Sequence, residues 1–156
     1  MKKNVELQPI SFQSLRETDQ SFLKQSLEAT QKSYAPYSEF YVGCAVQLES
    51  GEVVLGANQE NSSFPSGLCA ERVALFQCAK DLSDRVIRIA VCAKSEKYEV
   101  PVPLVPCAGC LQVISDIRNR QKSPIEVWMW DLTDQVFVAS DVNQFLPFHF
   151  ELKEVK

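Results

Sequence analysis

An α/β sandwich is predicted by three features of this 156-residue sequence. Strand-like runs alternate with helix-like periods along the chain, which is the pattern of one layered α/β unit. The run Val86 to Ala93 is almost continuously apolar, as in a strand covered on both faces. Hydrophobic residues make up 46% of the chain, enough to build one substantial core. The length fits a single domain spanning 1–156, and neither a repeat nor a linker divides it.

Each element follows from local pattern. Residues 1–18 are mixed and polar and read as an N-terminal arm with a short strand near Val5–Phe12. Thr18 or Asp19 can cap a helix. Phe22, Leu23, Leu27 and Thr30 then recur at helical spacing and carry that helix to about Ser33. Tyr34-Ala35-Pro36-Tyr37-Ser38 breaks it. Phe40 to Leu48 alternates and is rich in small and β-branched residues; Ser50-Gly51 turns the chain and Val53 to Ala57 returns, which makes a hairpin. Asn58 to Gly67 reads as a loop through its Asn, Ser, Pro and Gly content. A helix from about Leu68 presents Val73, Phe76 and Ala79, and Asp81-Leu82-Ser83-Asp84 ends it. In the strand Val86–Ala93, Arg88 is the one charge. Ser95–Val105 is a loop with Pro101 and Pro103. A second helix from Pro106 bears Cys110, Val113, Ile114 and Ile117 at i, i+3, i+4 and i+7. Ile125–Trp130 and Val136–Ala139 are strands, and Asp141 can cap a short last helix before Phe145-Leu146-Pro147-Phe148.

Composition removes some function classes. A net charge of −4 argues against a broad nucleic-acid surface, which needs clustered Lys and Arg. The basic group Arg118, Arg120 and Lys122 falls at a helix end, where cations complement the dipole. No stretch approaches the about 20 apolar residues of a membrane span, and the N-terminus lacks the apolar run of a signal peptide. A cytoplasmic protein is expected, so the six cysteines read as thiols and ligands rather than disulfides. Cys44, Cys78 and Cys92 sit in apolar runs and read as buried small hydrophobes.

The chemistry gathers in two stretches, Cys69-Ala70-Glu71-Arg72 and Pro106-Cys107-Ala108-Gly109-Cys110. A helix pattern follows each. Cys107 and Cys110 are three apart and share one face of a first turn. Helix N-termini favour negative charge, and zinc takes thiolates, so two helix starts can present Cys69, Cys107 and Cys110 to one zinc ion. Three protein ligands leave the fourth tetrahedral position to water, as in catalytic sites. Glu71, two residues from a ligand, can move protons for that water. Three thiolates oppose the loss of a proton from water. Arg72, on the same helix face as Cys69, can donate to sulfur and withdraw charge.

The two stretches resemble the zinc-deaminase signature, with Cys69 in the place of a first-ligand histidine and the glutamate as a non-ligand acid/base. From roughly Tyr34 to Phe150 the chain resembles the small three-cysteine cytidine deaminases. The resemblance is carried by Ala35-Pro36-Tyr37-Ser38-Glu39-Phe40 with Val42-Gly43, Asn58-Gln59-Glu60-Asn61, Cys69-Ala70-Glu71-Arg72, and Pro106-Cys107-Ala108-Gly109-Cys110 with Gln112. It implies a three-layer α/β/α fold with a mixed central sheet. It also implies hydrolytic deamination of cytidine and 2′-deoxycytidine, as in pyrimidine salvage, and a homotetramer with shared active sites. By matching position, Phe40 would stack on the pyrimidine. Asn58 and Glu60 would bond the ribose 3′-hydroxyl, Ala70 would offer its backbone to the base, and Phe150 would be the C-terminal aromatic, reaching a neighbouring site from the segment 148–156. The family commonly has Arg after the second ligand pair; here Leu111 leaves Arg72 a larger share of the charge.

Other readings stand beside these. Phe40 also fits a strand core, Asn58 and Glu60 a turn and a surface, and His149 an ordinary position near the terminus. A structural zinc module, closed by Cys44, Cys78 or Cys92, is an alternative to an enzyme. A deaminase of another small aminated heterocycle, such as a blasticidin-like compound, is a second.

Overall fold

Side chains of the central strands alternate between two apolar layers, and helices cover both. The computed structural model describes residues 7–78, 81 and 83–152. Its strands are β1 (Pro9–Ser11), β2 (Tyr41–Leu48), β3 (Val53–Ala57), β4 (Val86–Lys94), β5 (Glu126–Trp130) and β6 (Gln135–Ala139). Its α-helices are α1 (Glu17–Ala29), α2 (Ala70–Cys78) and α3 (Ala108–Gln121). The strands form one sheet in the order β1-β6-β5-β4-β2-β3. Only β4 and β5 pair in parallel, through α3 as crossover; the other pairs are antiparallel. The sheet is therefore mixed.

The period of two sorts the core. Cys44, Val46, Ile89, Val91, Val127 and Met129 face α2 and α3, where Ala74, Leu75, Ile114 and Ile117 meet them. Ala45, Ala90, Cys92, Trp128 and Trp130 face the other way and pack on Phe22 and Leu23 of α1. Helices on both faces complete the expected three-layer α/β/α sandwich. Cys44 and Cys92 are buried in it as expected, whereas Cys78 is half-buried.

Several local expectations need correction. The arm is an arm only in part: β1 pairs with β6, a 3-10 turn follows at Phe12–Ser14, and Glu17 and Thr18 already belong to α1. Residues 1–6, including the start of the expected Val5–Phe12 strand, lie outside the described residues. Neither Thr18 nor Asp19 caps α1; Arg16 holds the N-cap position without a side-chain capping bond. On α2 the inward residues are Ala70, Glu71, Ala74 and Leu75, while Phe76 is exposed. Ala79 lies outside the described residues. The strand read as Ile125–Trp130 begins at Glu126. Asp141 does cap the last short turn, accepting from the Asn143 N–H. At the end of α3, Arg118 pairs with Asp141 and Arg120 with Asp116.

Asp19 has a larger task than capping. Its carboxylate accepts from Arg16 Nε at 2.9 Å and from Arg88 Nη1 at 2.6 Å, with both side chains of the second pair largely buried. Arg88 of β4 also donates to Gln47 and stacks against Phe22 and Trp128. Burial alone would raise the Asp19 carboxyl, but the bonds from Arg16 and Arg88 outweigh it and hold it below its usual range. A depressed carboxyl contributes stability above the ordinary carboxylate range and loses it as pH falls through the folded value. Asp19→Asn should therefore cost about 3 kcal/mol at neutral pH by stranding Arg88. The gap from the parent should narrow below about pH 4. Urea unfolding of both proteins across that range checks this; a gap that does not change with pH contradicts it.

Candidate active site

Two helix starts meet at one edge of the sheet because of strand direction. β2 runs antiparallel to both β3 and β4, so β3 and β4 run the same way. The helices that follow them, α2 and α3, begin at the same end of the sheet on the same face. In α/β folds this carboxyl edge of the strands is where ligands bind.

Local bonding aims each start. Asn58, Gln59 and Glu60 are stitched between Tyr34 and Leu68. Tyr34 N–H donates to the Asn58 carbonyl and Glu60 N–H to the Tyr34 carbonyl, while Gln59 and Leu68 exchange two backbone bonds of 2.9 Å. Cys69 follows directly, and its carbonyl accepts from Val73 N–H at 3.1 Å. Cys107 is the N-cap of α3, and its carbonyl accepts from Leu111 N–H at 2.9 Å. One cysteine thus precedes each helix, and Cys110 adds a third sulfur one turn in. Unpaired N–H groups at such termini favour thiolate.

The three sulfurs lie within 4.8 Å of one another. Cys69 and Cys107 are 3.8 Å apart. Sulfurs at about 2.3 Å from a tetrahedral zinc stand about 3.8 Å apart, so the donor set fits one ion. Among the described residues the cluster has these three members only; Cys44, Cys78 and Cys92 are not in it. Cys110 is buried, Cys69 half-buried and Cys107 exposed. A hydrogen bond from Cys110, helped by Arg72 and Cys107, holds the Cys69 thiol down to about 5. The same bond, with burial, pushes Cys110 up.

Arg72 Nη2 donates to Cys69 Sγ at 3.4 Å, the contact that i,i+3 spacing predicts. Its Nε is buried without a hydrogen-bond partner. Leu111 is buried in the core and adds no charge. Glu71 is 4% exposed, and this burial pushes its carboxyl up to about 7 against the pull of Cys110 and Arg72.

A cavity of about 670 Å³ opens over this cluster. Cys69, Cys107, Glu71, Arg72, Asn58 and Glu60 line it. Phe40, Ala70 and Phe150 do not. Phe40 is half-buried beside it, Ala70 is fully buried, and Phe150 is 69% exposed with its backbone clamped by the Gln112 side chain. Asn58 spends its carboxamide on the start of β2, bonding Val42 N–H and the Phe40 carbonyl. Glu60 accepts from Tyr37 N–H and from the Ser38 N–H and hydroxyl, and these donors outweigh burial and hold its carboxyl low. His149 lies outside the cavity wall, 2.9 Å from Asn119. The wall also takes in Phe64, Tyr98 and Leu104, which sequence reading did not nominate. Phe64 opens a 3-10 turn and Tyr98 and Leu104 lie in a loop, where no periodicity marks a lining residue.

Comparison with known proteins names the constellation. Residues 16–123 match the family of the cytidine and deoxycytidylate deaminase zinc-binding region. The chain belongs to this deaminase family. The match runs from the N-cap of α1 past the end of α3 and holds both cysteine stretches. Cytidine deaminase of Halalkalibacterium halodurans is 35% identical over 133 residues, covering 80% of this chain and 97% of the relative. That of Sporosarcina psychrophila is 36% identical over 136 residues, covering 87% and 93%. Among solved structures, cytidine deaminase from Burkholderia pseudomallei superposes with a TM-score of 0.71 at 31% identity, over 87% of this chain and all of that one. The zinc-binding character of the family and the three-sulfur cluster agree on one zinc per chain.

If these sulfurs are the ligands, metal analysis of Cys107→Ala should show the zinc content falling from one per chain to a small fraction. Undiminished zinc in that variant excludes the ligand set.

Proposed function

We propose that the chain deaminates cytidine and 2′-deoxycytidine hydrolytically, giving the uracil nucleosides and ammonia. The observation that carries this reading is Glu71, a buried carboxyl beside three clustered sulfurs on the wall of one cavity. Cys69, Cys107 and Cys110 would hold the zinc, which when bound would supply a water activated for attack near neutral pH. Glu71 handles the protons. With its carboxyl raised to about 7 it can both accept and donate near neutrality. It takes a proton from the attacking water and passes it to the ring nitrogen beside the amino-bearing carbon. It then takes the remaining proton of the added hydroxyl and delivers it to the amino group, which leaves as ammonia as the carbonyl forms. Arg72 draws charge from Cys69 through its sulfur contact.

A nucleoside suits the cavity better than a nucleotide. Among the described lining residues Arg72 is the one cation, and it is engaged with sulfur, while Glu60 and Glu71 are carboxyls. A phosphate would meet like charge. Asn58 and Glu60 are offered to the sugar from a loop already fixed by their bonds to β2 and Ser38. Phe40, half-buried and flanked in sequence by the lining residues Ser38 and Val42, is assigned to the base, and Ala70 contributes through its backbone. The whole chain acts as one domain, in the cytoplasm, and no helix among the described residues is long and apolar enough to cross a membrane.

Glu71→Gln should keep its fold and zinc and lose about 10²–10⁴-fold in turnover of cytidine, the range for general acid/base groups. An ultraviolet assay with cytidine, deoxycytidine, deoxycytidylate and a blasticidin-like antibiotic tests substrate class. Turnover of deoxycytidylate or of the antibiotic ahead of the nucleosides overturns the reading.

We further propose a homotetramer whose sites are completed across subunits. Phe148, Phe150 and Leu152 are 93%, 69% and 86% exposed, although Gln112 pins the Phe150 backbone to α3. An ordered segment that displays apolar side chains is worth ordering when a partner covers them. Removing residues 148–156 should weaken assembly and sharply cut activity with zinc retained. A fully active monomer in sedimentation at assay concentration contradicts this.

A further inference from the structure

The sheet approaches α2 closely at a residue that has no side chain. Gly56 lies in β3 opposite Cys44 and is buried. A Cβ there would stand 2.4 Å from the Ala70 carbonyl oxygen, 2.5 Å from the Ala74 nitrogen and 2.9 Å from the Ala74 methyl. Heavy atoms in good contact stand at about 3.5 Å or more. Two of the three atoms are backbone, so no rotamer change relieves the overlap; the helix itself must retreat by about 1 Å to restore that contact distance. Gly56 is not among the residues with positive φ, so room is its requirement rather than conformational freedom.

The contact falls at a sensitive place. Ala70 is the residue between Cys69 and Glu71. On the strand side, Asn58 and Glu60 follow Gly56 by two and four residues and line the same cavity. One backbone contact thus sets the spacing between the first turn of α2 and the loop across from it. We propose that Gly56 is a positioning residue for the deamination: the space left by its missing side chain seats Cys69, Glu71 and Arg72 at their distance from Asn58 and Glu60. This rests on the deaminase reading of the site. Misplacement of a reacting group by about 1 Å can cost about 10²-fold in rate, so the effect belongs in turnover.

The test compares Gly56→Ala with Ala45→Val. Ala45 is buried on the α1 face, one residue along β2 from Cys44, and enlarging it strains the fold without touching α2. In zinc-loaded enzyme, Gly56→Ala should lower kcat for cytidine by about 10–10²-fold with KM changed by less than about threefold and zinc still one per chain. Ala45→Val should lower Tm comparably and leave kcat within about twofold of the parent. Cobalt-substituted protein gives a readout independent of turnover, since its d–d absorption follows the geometry of the sulfur ligands. The bands should shift in Gly56→Ala and not in Ala45→Val. If Gly56→Ala does not fold, the double variant Gly56→Ala/Ala74→Gly removes one of the three contacts, keeps the Ala70 one, and is held to the same criteria. A folded variant at position 56 with parental kcat and parental cobalt bands overturns the proposal, as does a kcat loss equalled by Ala45→Val. A parent protein inactive on cytidine refutes the deaminase reading instead, and the cobalt bands then decide the role of Gly56 alone.

Discussion

The structure depends on the direction of β2. Because that strand is antiparallel to both neighbours, β3 and β4 deliver the chain to the same edge of the sheet, and both following helices start there. Each start is preceded by a cysteine whose carbonyl takes the first helical bond. Backbone satisfaction and sulfur placement are therefore one geometric act. A helix terminus needs something to meet its free N–H groups, and a cluster of thiolates is what those groups favour. Reversing either strand would send its helix start to the far edge and part Cys69 from Cys107.

The electrostatics of the site are tight. Three sulfurs, one carboxyl and one guanidinium share the first turns of two helices. Glu71 responds to burial by holding its proton more firmly, and Cys69 responds to Cys110 and Arg72 by releasing its own more easily. A carboxyl raised toward neutrality suits acid/base work, and a thiol that ionises easily suits a metal ligand. Arg72 accepts an unfavourable setting, with Nε buried and unpartnered, to keep its charge against sulfur. With Leu111 in the core, no second cation shares that task among the described residues lining the cavity.

Much of this was legible in the sequence, because the governing signals are local. Spacing alone places Cys107 and Cys110 on one turn and Arg72 against Cys69. Asp141 as a cap and the β2–β3 hairpin are equally local. What escaped depends on residues far apart. Asp19 looks like a cap, but Arg88, in another layer, makes it half of a buried ion pair. Val73 and Phe76 are large apolar residues of α2, yet neither is among its fully buried ones. The close approach at Gly56 admits only small residues there, so Ala70 and Ala74 face the sheet and Phe76 faces out. Phe64 reaches the cavity from a short 3-10 turn and Tyr98 and Leu104 from a loop, segments that carry no period. Phe40 and Phe150 match family positions in sequence, yet neither lines the cavity of its own chain.

Cys69 and Cys107 are separated by 38 positions, with all of β4 between them. In a disordered chain the Cys107/Cys110 pair stays close at hand, but Cys69 must be gathered in across a long ring. Closing a ring of that length costs about 3 kcal/mol of chain entropy by (3/2)RT ln n. The fold has already met that cost before any ion arrives, which is worth roughly a hundredfold in affinity. Part of the affinity for the ion therefore originates in the sheet. Any change that loosens the β2–β4 pairing weakens the grip on the ion, even with every ligand present. By the same linkage, an ion bound only by the folded chain stabilises that pairing in return.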